Sequence, residues 1–407
     1  MKRVMILLAL CLGCIACKSE WGAAQTEGFH PIAYREKVDA EQMLKTRFVR
    51  FVFDDAVESV SLWDLGARSV SDGTSWDEDT LRACLASLTQ TYRTMSKDAA
   101  AELTGIFSEP YRFIEETAGK EPDTERWKTA LASFDFHLAV QSFSVPYHSI
   151  LPENTLEQVK REHALLATYS TSFAKGTLSK SNRVHNIEVA AERINGVVVQ
   201  PDAVFSMNRT IGDRTKKNGY LLAGAITNGK NVTEYGGGVC QVSTTLFNSA
   251  LMADLEIVER YHHSWPMAYA PVGRDATIAT GQKDFRFRNT TDVPITIFAT
   301  VDRKAKTISV SLYGKHSDAF DHIEIVSEQI KRLPSKPAEH HLDESLPPNT
   351  KEIDREGRRG RVSVTYLDYY DADGERIKRV TAFEDTYPSI GEIAYLSPDL
   401  YYGKGNE

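Results

Sequence analysis

The stretch Tyr235-Gly236-Gly237-Gly238-Val239-Cys240-Gln241-Val242-Ser243-Thr244-Thr245-Leu246-Phe247 decides how the chain is read. Three successive glycines accept positive φ and let the backbone come close to another group. Beyond them Val242, Leu246 and Ala250, flanked by Phe247 and Leu251, recur at helical spacing. Cys240 therefore falls at or just before a helix N-terminus. The macrodipole there favours the thiolate, the form of sulfur that attacks carbonyl carbon. Free backbone N–H groups in that first turn suit an oxyanion. The 407-residue length calls for two or three domains, and the alternation of helical and strand patterns gives the fold class: α+β and multidomain, a mixed α/β core with a small α+β module before it and a β-rich tail after it.

A nucleophilic thiolate needs a base. His262 and His263 follow the strand pattern Ile257–Tyr261, and Asp275 and Asp284 are then available to orient an imidazole. The order Cys…His…Asp, with the string His263-Ser264-Trp265, is similar to that of transglutaminase-like thiol enzymes. Two other readings stay open. Cys240 as a small buried residue closes the turn between glycines and helix. Alternatively, Cys240, a histidine and a carboxylate ligate a metal, although no C-x-x-C or H-x-x-x-H spacing supports that. His340-His341 sits among polar residues and reads as a solvated pair. The expectation is no metal and no cofactor.

Arginines are frequent near this segment: Arg183, Arg209, Arg214, Arg260 and Arg274. A planar guanidinium matches the two oxygens of a peptide-stem carboxylate, and Arg260 and Arg274 stand nearest the histidines. With Gly236, Gly237, Gly238, Gln241, Ser243, Thr244 and Tyr269 they form the candidate binding set. Ser243 and Thr244 also read as helix caps.

Outward from the centre, a helical pattern starts near Thr155, and Val184–Ile194 precedes a strand at Val197–Val199. Strands are expected at Ile257–Tyr261, Ala276–Thr280, Pro294–Val301 and Thr307–Leu312. Charged residues and prolines from 317 to 349 read as a linker. Residues 350–400 are β-rich: Val362–Tyr366 alternates, Asp371-Ala372-Asp373-Gly374 signals a hairpin turn, and Ile377–Phe383 returns. Upstream, residues 46–155 combine a strand at Phe48–Phe53, helices after Trp76 and after Pro122-Asp123, and a strand through Phe136, Leu138 and Val140. Residues 18–45 read as a tether.

The start of the chain is an address. Met1-Lys2-Arg3 precedes the apolar run Val4–Ala16, which falls short of the roughly 20 residues a spanning helix needs. Cys11, Cys14 and Cys17 lie here, and polar Lys18-Ser19-Glu20 follows at once. The pattern resembles a bacterial lipoprotein signal, with Cys17 as the lipidated residue and Cys14 as the alternative. The resemblance implies an exported chain, anchored at the outer face of the cytoplasmic membrane or otherwise held in the cell envelope. Only Cys84 and Cys240 remain for the folded body, which leaves a Cys84–Cys240 disulfide open. Of 407 residues 42% are hydrophobic and 26% charged, as in a folded soluble body. The net charge of −8 counts against a nucleic-acid partner.

Several separated matches now line up in one order: Asn182-Arg183, Asn186-Ile187, Phe205-Ser206-Met207-Asn208, Ile211-Gly212, Gly219-Tyr220, the Gly236–Thr244 motif, Arg260, His263-Ser264, Pro266, Gly273–Thr277, Asp284, Phe287 and Asn289. Residues 156–316 thereby resemble the VanW domain, named from an accessory protein of vancomycin-resistance clusters. Pro201-Asp202-Ala203 departs from the family's usual Pro-Gly-Glu. The upstream module resembles the peptidoglycan-binding domain often found ahead of VanW domains, and the tail resembles the five-glycine domain through Gly357 and Gly360. The resemblance implies a role at the cell wall and supplies no reaction. Two functions follow. The first is a protein that binds peptidoglycan or its stem peptide. The alternative is a thiol amidase or transpeptidase in which Cys240 attacks, His263 moves the proton, and Asp275 or Asp284 orients it. A third role, assistance to other envelope proteins, also stays open.

Overall fold

The computed structural model describes residues 31–70, 73–136, 138–174, 180–227 and 230–403. The proposed signal and its cysteines lie outside them. Among the described residues no helix is long and apolar enough to cross a membrane. The fold is α+β, and the chain divides into two compact units, one containing 118–151 and everything described up to Ser96, the other containing 97–117 and everything described from Pro152.

In the first unit, strand Phe48–Val52 lies between Val57–Ser61, antiparallel, and Val140–Ser144, parallel. Helices Glu78–Tyr92 and Thr124–Ala132 each start at an aspartate: Asp77 accepts from the Thr80 N–H at 2.9 Å and Asp123 from the Arg126 N–H at 3.2 Å. Their apolar stripes, Leu81 with Leu85 and Trp127 with Leu131, close on Val49, Phe51 and Phe53 of the sheet. Residues 31–46, expected as part of a tether, form a helix that places Leu44 in this core.

In the second unit, a four-stranded antiparallel sheet runs in the order Ala164–Ser172, Thr307–Gly314, Ile295–Asp302, Val197–Val199. Helices Ser181–Ile194 and Val239–Met252 pack on it, burying Ile187, Ile194, Val242, Leu246 and Ala250 against Ile297, Val310 and Leu312. The Val239–Met252 helix is buried almost all round, so its polar side chains need internal partners, and they have them. Thr245 Oγ1 meets Thr171 Oγ1 at 2.8 Å, Asn248 donates to the Arg274 carbonyl at 2.9 Å, and Ser249 donates to the Val310 carbonyl at 2.9 Å. A smaller sheet joins Val204–Ser206, Arg286–Arg288 and Glu256–Glu259, and a hairpin joins Leu222–Thr227 to Lys230–Tyr235.

Three expectations need correcting. The hairpin Ala100–Ile106/Glu109–Ile114, within the stretch read as an upstream module, belongs to the second unit, where Tyr111 packs edge-on to Phe298 and Tyr313 at 5.8 and 5.7 Å. The stretch read as a linker contains strands His322–Leu333 and Glu339–Leu342. Most of their side chains face solvent, so composition hid the strand. Ala276–Thr280 is an extended segment held by side chains rather than a strand. The tail's main sheet places Gly360–Tyr370 between His322–Leu333 and Arg376–Tyr387, all antiparallel.

Trp127 is 1% exposed at the centre of the first unit's core. Trp127→Ala should lower that unit's unfolding free energy by about 3–5 kcal/mol, read by urea denaturation followed by circular dichroism. A change below about 1 kcal/mol would show that the core does not close around the indole.

Candidate active site

The glycine bend does what the sequence requires of it, by close approach as much as by φ. Gly236 and Gly238 have φ of 80° and 111°, in the left-handed region. At Gly237 a Cβ would lie 2.7 Å from the carbonyl oxygens of Ala223 and Gly224, so only glycine lets the chain pass this close beneath the hairpin. Asn186 fixes the bend, donating to the Leu221 and Gly237 carbonyls at 2.9 and 3.1 Å and accepting from the Leu221 N–H at 2.8 Å. Gly238 caps the helix, and Cys240 is its second residue.

The second turn of the helix then grips the chain after Arg274. Ser243 Oγ donates to the Ala276 carbonyl at 2.5 Å, and Thr244 Oγ1 accepts from the Ala276 N–H at 3.1 Å. This brings Cys240 Sγ to 3.6 Å from Thr277 Oγ1 and 3.7 Å from the Ile278 carbonyl. One residue before the gripped alanine, Asp275 is 1% exposed. Its Oδ2 accepts from the His263 backbone N–H at 2.7 Å and from His263 Nδ1 at 2.5 Å. The His263 side chain also acts on the Cys240 sulfur, and because Nδ1 is engaged by Asp275, Nε2 is the nitrogen left for it. Cys240, His263 and Asp275 thus stand in series. His262 is not part of it: its Nδ1 meets the His263 carbonyl at 2.6 Å.

The electrostatics follow from burial opposed by pairing. Burial alone would raise the Cys240 thiol, but the His263 hydrogen bond and charge, with smaller help from the Ile278 backbone and Thr277, bring it down to about 7. Burial alone would lower His263, but Asp275 and the sulfur lift it to about 9. Asp275 is held below the usual carboxylate range, its burial outweighed by the His263 bonds. Between the two values the pair is thiolate and imidazolium. Tyr269, whose ring lies 6.4 Å from His263, is held far above the usual phenol range by burial and by the negative charges of Cys240 and Asp275, so it stays protonated.

Other expected site residues serve inside the fold. Asp284 is not an orienting carboxylate for His263. It accepts from Ser206 Oγ at 2.5 Å and from the Asn208 N–H at 2.9 Å, bracing the start of helix Met207–Ile211. Arg260 is not free for a ligand: both oxygens of Asp385 lie 2.7 Å from its Nη1, and its Nε donates to the Asp275 carbonyl at 2.7 Å. Arg274 donates to Asn248 Oδ1 at 2.8 Å. Gln241 is buried between Arg183 and Thr171, at 2.8 and 3.0 Å. Ser243 and Thr244 grip Ala276, and the three glycines shape the bend. Cys84 and Cys240 are both free thiols, and burial pushes Cys84 up to about 11. Sequence reasoning missed Thr277 beside the sulfur and Tyr387, which donates to Asp275 Oδ1. Thr277 closes the Gly273–Thr277 match but had no role assigned, and no motif marks Tyr387.

The linkage has opposite signs at the two partners. Stabilisation from His263 is complete below its unfolded value and lost as pH rises through about 9. That from Cys240 is present at high pH and lost as pH falls through about 7. Iodoacetamide should therefore alkylate Cys240 with a midpoint near pH 7. His263→Ala leaves burial as the main influence and should carry the midpoint above about 8.5, the reference for a free thiol. A wild-type midpoint at the reference value, or none of this displacement in His263→Ala, would sink the ion pair.

With the geometry in place, comparison with known proteins is informative. Residues 182–313 match the family model described as VanW like protein. Uncharacterized protein YoaR of Bacillus subtilis is 38% identical over 173 residues, 42% of this chain and 53% of its own length. Vancomycin B-type resistance protein VanW of Enterococcus faecalis is 33% identical over 162 residues, 38% of this chain and 58% of its own. The chain thus spans somewhat over half the length of these relatives. Among solved structures, HP0197-G5 aligns with 18% of this chain at 21% identity and a TM-score of 0.11, and the G5 domain of an IgA1 protease with 19% at 12% identity and a TM-score of 0.12. Residues 182–313 are a VanW-like domain, and Cys240, His263 and Asp275 all belong to it.

Proposed function

We propose that this chain is a cell-envelope thiol enzyme that cleaves or transfers an amide of a peptidoglycan stem peptide. One observation carries the reading: Cys240, His263 and Asp275 are joined in series, with the sulfur at a helix start and the carboxylate dry. In this reaction Sγ of the thiolate attacks the amide carbonyl carbon. The resulting oxyanion meets the Cys240 N–H, which has no backbone acceptor among the described residues, whereas the Val239 and Gln241 N–H groups bond the Gly236 and Gly238 carbonyls at 3.1 and 3.0 Å. The C–N bond breaks as His263 Nε2 gives its proton to the leaving nitrogen, and a thioester remains. Water or a second amine then attacks the thioester, losing a proton to Nε2, and the thiolate–imidazolium pair returns. Asp275 holds the ring in one orientation throughout.

The wall peptide is the substrate suggested by the VanW-like domain and by the envelope character of the upstream and tail resemblances. Lipidation at Cys17, or at Cys14, would hold the enzyme at the membrane face beside it.

Purified chain incubated with cross-linked muropeptides should release new amine and carboxyl ends, or exchange an added amine, as read by mass spectrometry. Cys240→Ala should abolish turnover, and His263→Ala should reduce it by about 10²–10⁴-fold. Equal retention of wild type and Cys240→Ala on wall sacculi, with no turnover by wild type, would replace this reading with simple wall binding.

A further inference from the structure

We propose that Tyr387, at the end of the tail strand Arg376–Tyr387, is a positioning residue of the Cys240–His263–Asp275 array, so that the β-rich tail completes the site instead of standing beside it as a separate binding module. The inference rests on the thiol-enzyme reading and adds a residue, and a segment, that the reading does not need.

The case begins with the two oxygens of Asp275. Oδ2 is occupied by both donors of His263. Oδ1 is left, in a place that is 1% exposed, where water cannot serve it. Tyr387, also 1% exposed, donates its hydroxyl to Oδ1, and its phenol oxygen in turn accepts the Gly273 N–H at 3.0 Å. The torsion that turns a carboxylate about its last bond is soft. With a donor on each side, the plane of Asp275 is fixed, and Oδ2 stays aimed at Nδ1. Without the phenol, one side of that restraint is gone.

Other tail residues show that this contact is built. Thr365 Oγ1 donates to the Gly273 carbonyl at 3.1 Å. Gly273 has φ 87°, and a Cβ there would lie 2.7 Å from Thr365 Oγ1 and 2.8 Å from Ser363 Oγ, so the turn is pressed onto the strand without room for a side chain. Asp385 holds Arg260, which in turn donates to the Asp275 and Gly273 carbonyls. The charged and titratable groups facing Asp275 are therefore His263, Arg260 with Nη2 at 3.8 Å, and Tyr387. Asp385 stands behind Arg260, the His262 ring lies 4.8 Å from the Tyr387 ring, and Cys240 with Tyr269 stands on the helix side.

The tail supplies its own control. Tyr369 makes the same kind of bond from the tail to the VanW-like domain, donating to Asp254 Oδ1 at 2.6 Å, but just beyond the far end of the cysteine helix. The experiment titrates Cys240 in the full chain by iodoacetamide rate against pH, in wild type, Tyr387→Phe and Tyr369→Phe, with thermal melts of each. Tyr387→Phe is expected to alkylate about tenfold more slowly at pH 7, the loss that follows when one hydrogen bond to a buried charge is removed. Tyr369→Phe should alkylate as wild type while losing comparable thermal stability. In an Asp275→Asn background Tyr387→Phe should add no further slowing. Should Tyr387→Phe fail to fold, 3-fluorotyrosine at 387 keeps the ring and changes only the hydroxyl's acidity, and it must then displace the alkylation midpoint. Wild-type rates in Tyr387→Phe, an unmoved midpoint with the fluorinated ring, or equal slowing by Tyr369→Phe would overturn the inference. An unactivated thiol in the wild type would instead overturn the thiol-enzyme reading.

Discussion

A carboxylate removed from water must be surrounded by donors, and Asp275 is the clearest case in this chain. Its Oδ2 takes two bonds from His263 and its Oδ1 takes the phenol of Tyr387, with Arg260 alongside. Desolvating such a charge without partners would cost several kcal/mol. The arrangement of the site follows from meeting that demand. The backbone N–H of His263 must face Oδ2, which fixes where the chain lies after strand Glu256–Glu259. The ring must follow, and its far nitrogen then points to the cysteine. The helix start must come to the same place, which Ser243 and Thr244 ensure by holding Ala276.

Exposure rises along the array. The Asp275 side chain is 1% exposed, that of His263 is 11%, and Cys240 is half-buried. This gradient suits a thiolate–imidazolium pair. At the dry end the low dielectric strengthens the hold of Asp275 on the ring. At the other end the charge of the sulfur is held by the imidazolium and the first turn of the helix. The opposed displacements of Cys240 and His263 have one origin, each stabilising the other's charged form against burial.

What the sequence made legible was whatever neighbouring residues decide. The glycine bend, the apolar period after it and the strand before His262-His263 are local patterns, and they suffice to place a nucleophile and a base. Asp275 and Asp284 were equivalent on those grounds. What separates them is a partner 78 positions away from Asp284, Ser206, which holds it at another helix start. Arg260 and Arg274 looked available for the same reason, since their acceptors Asp385 and Asn248 are set by tertiary packing. Tyr387 lies 112 residues from Asp275 and carries no motif. The strand His322–Leu333 escaped notice because few of its side chains are buried, which leaves no period of two to read.

The choice of sulfur fits the surroundings better than oxygen would. A serine hydroxyl at position 240 would stay neutral beside His263, so the imidazole would have to take its proton during attack, and the lift that Asp275 gives the ring would serve only the transition state. With cysteine the proton has already moved between pH of about 7 and about 9, and there the ring is charged before substrate arrives. The task of Asp275 is then to hold a cation that exists in the resting protein, in one orientation. A buried cation next to an anion in the resting protein needs a rigid frame on both sides. The helix supplies one side through Ser243, Thr244 and Asn248, and the tail supplies the other through Thr365, Asp385 and Tyr387.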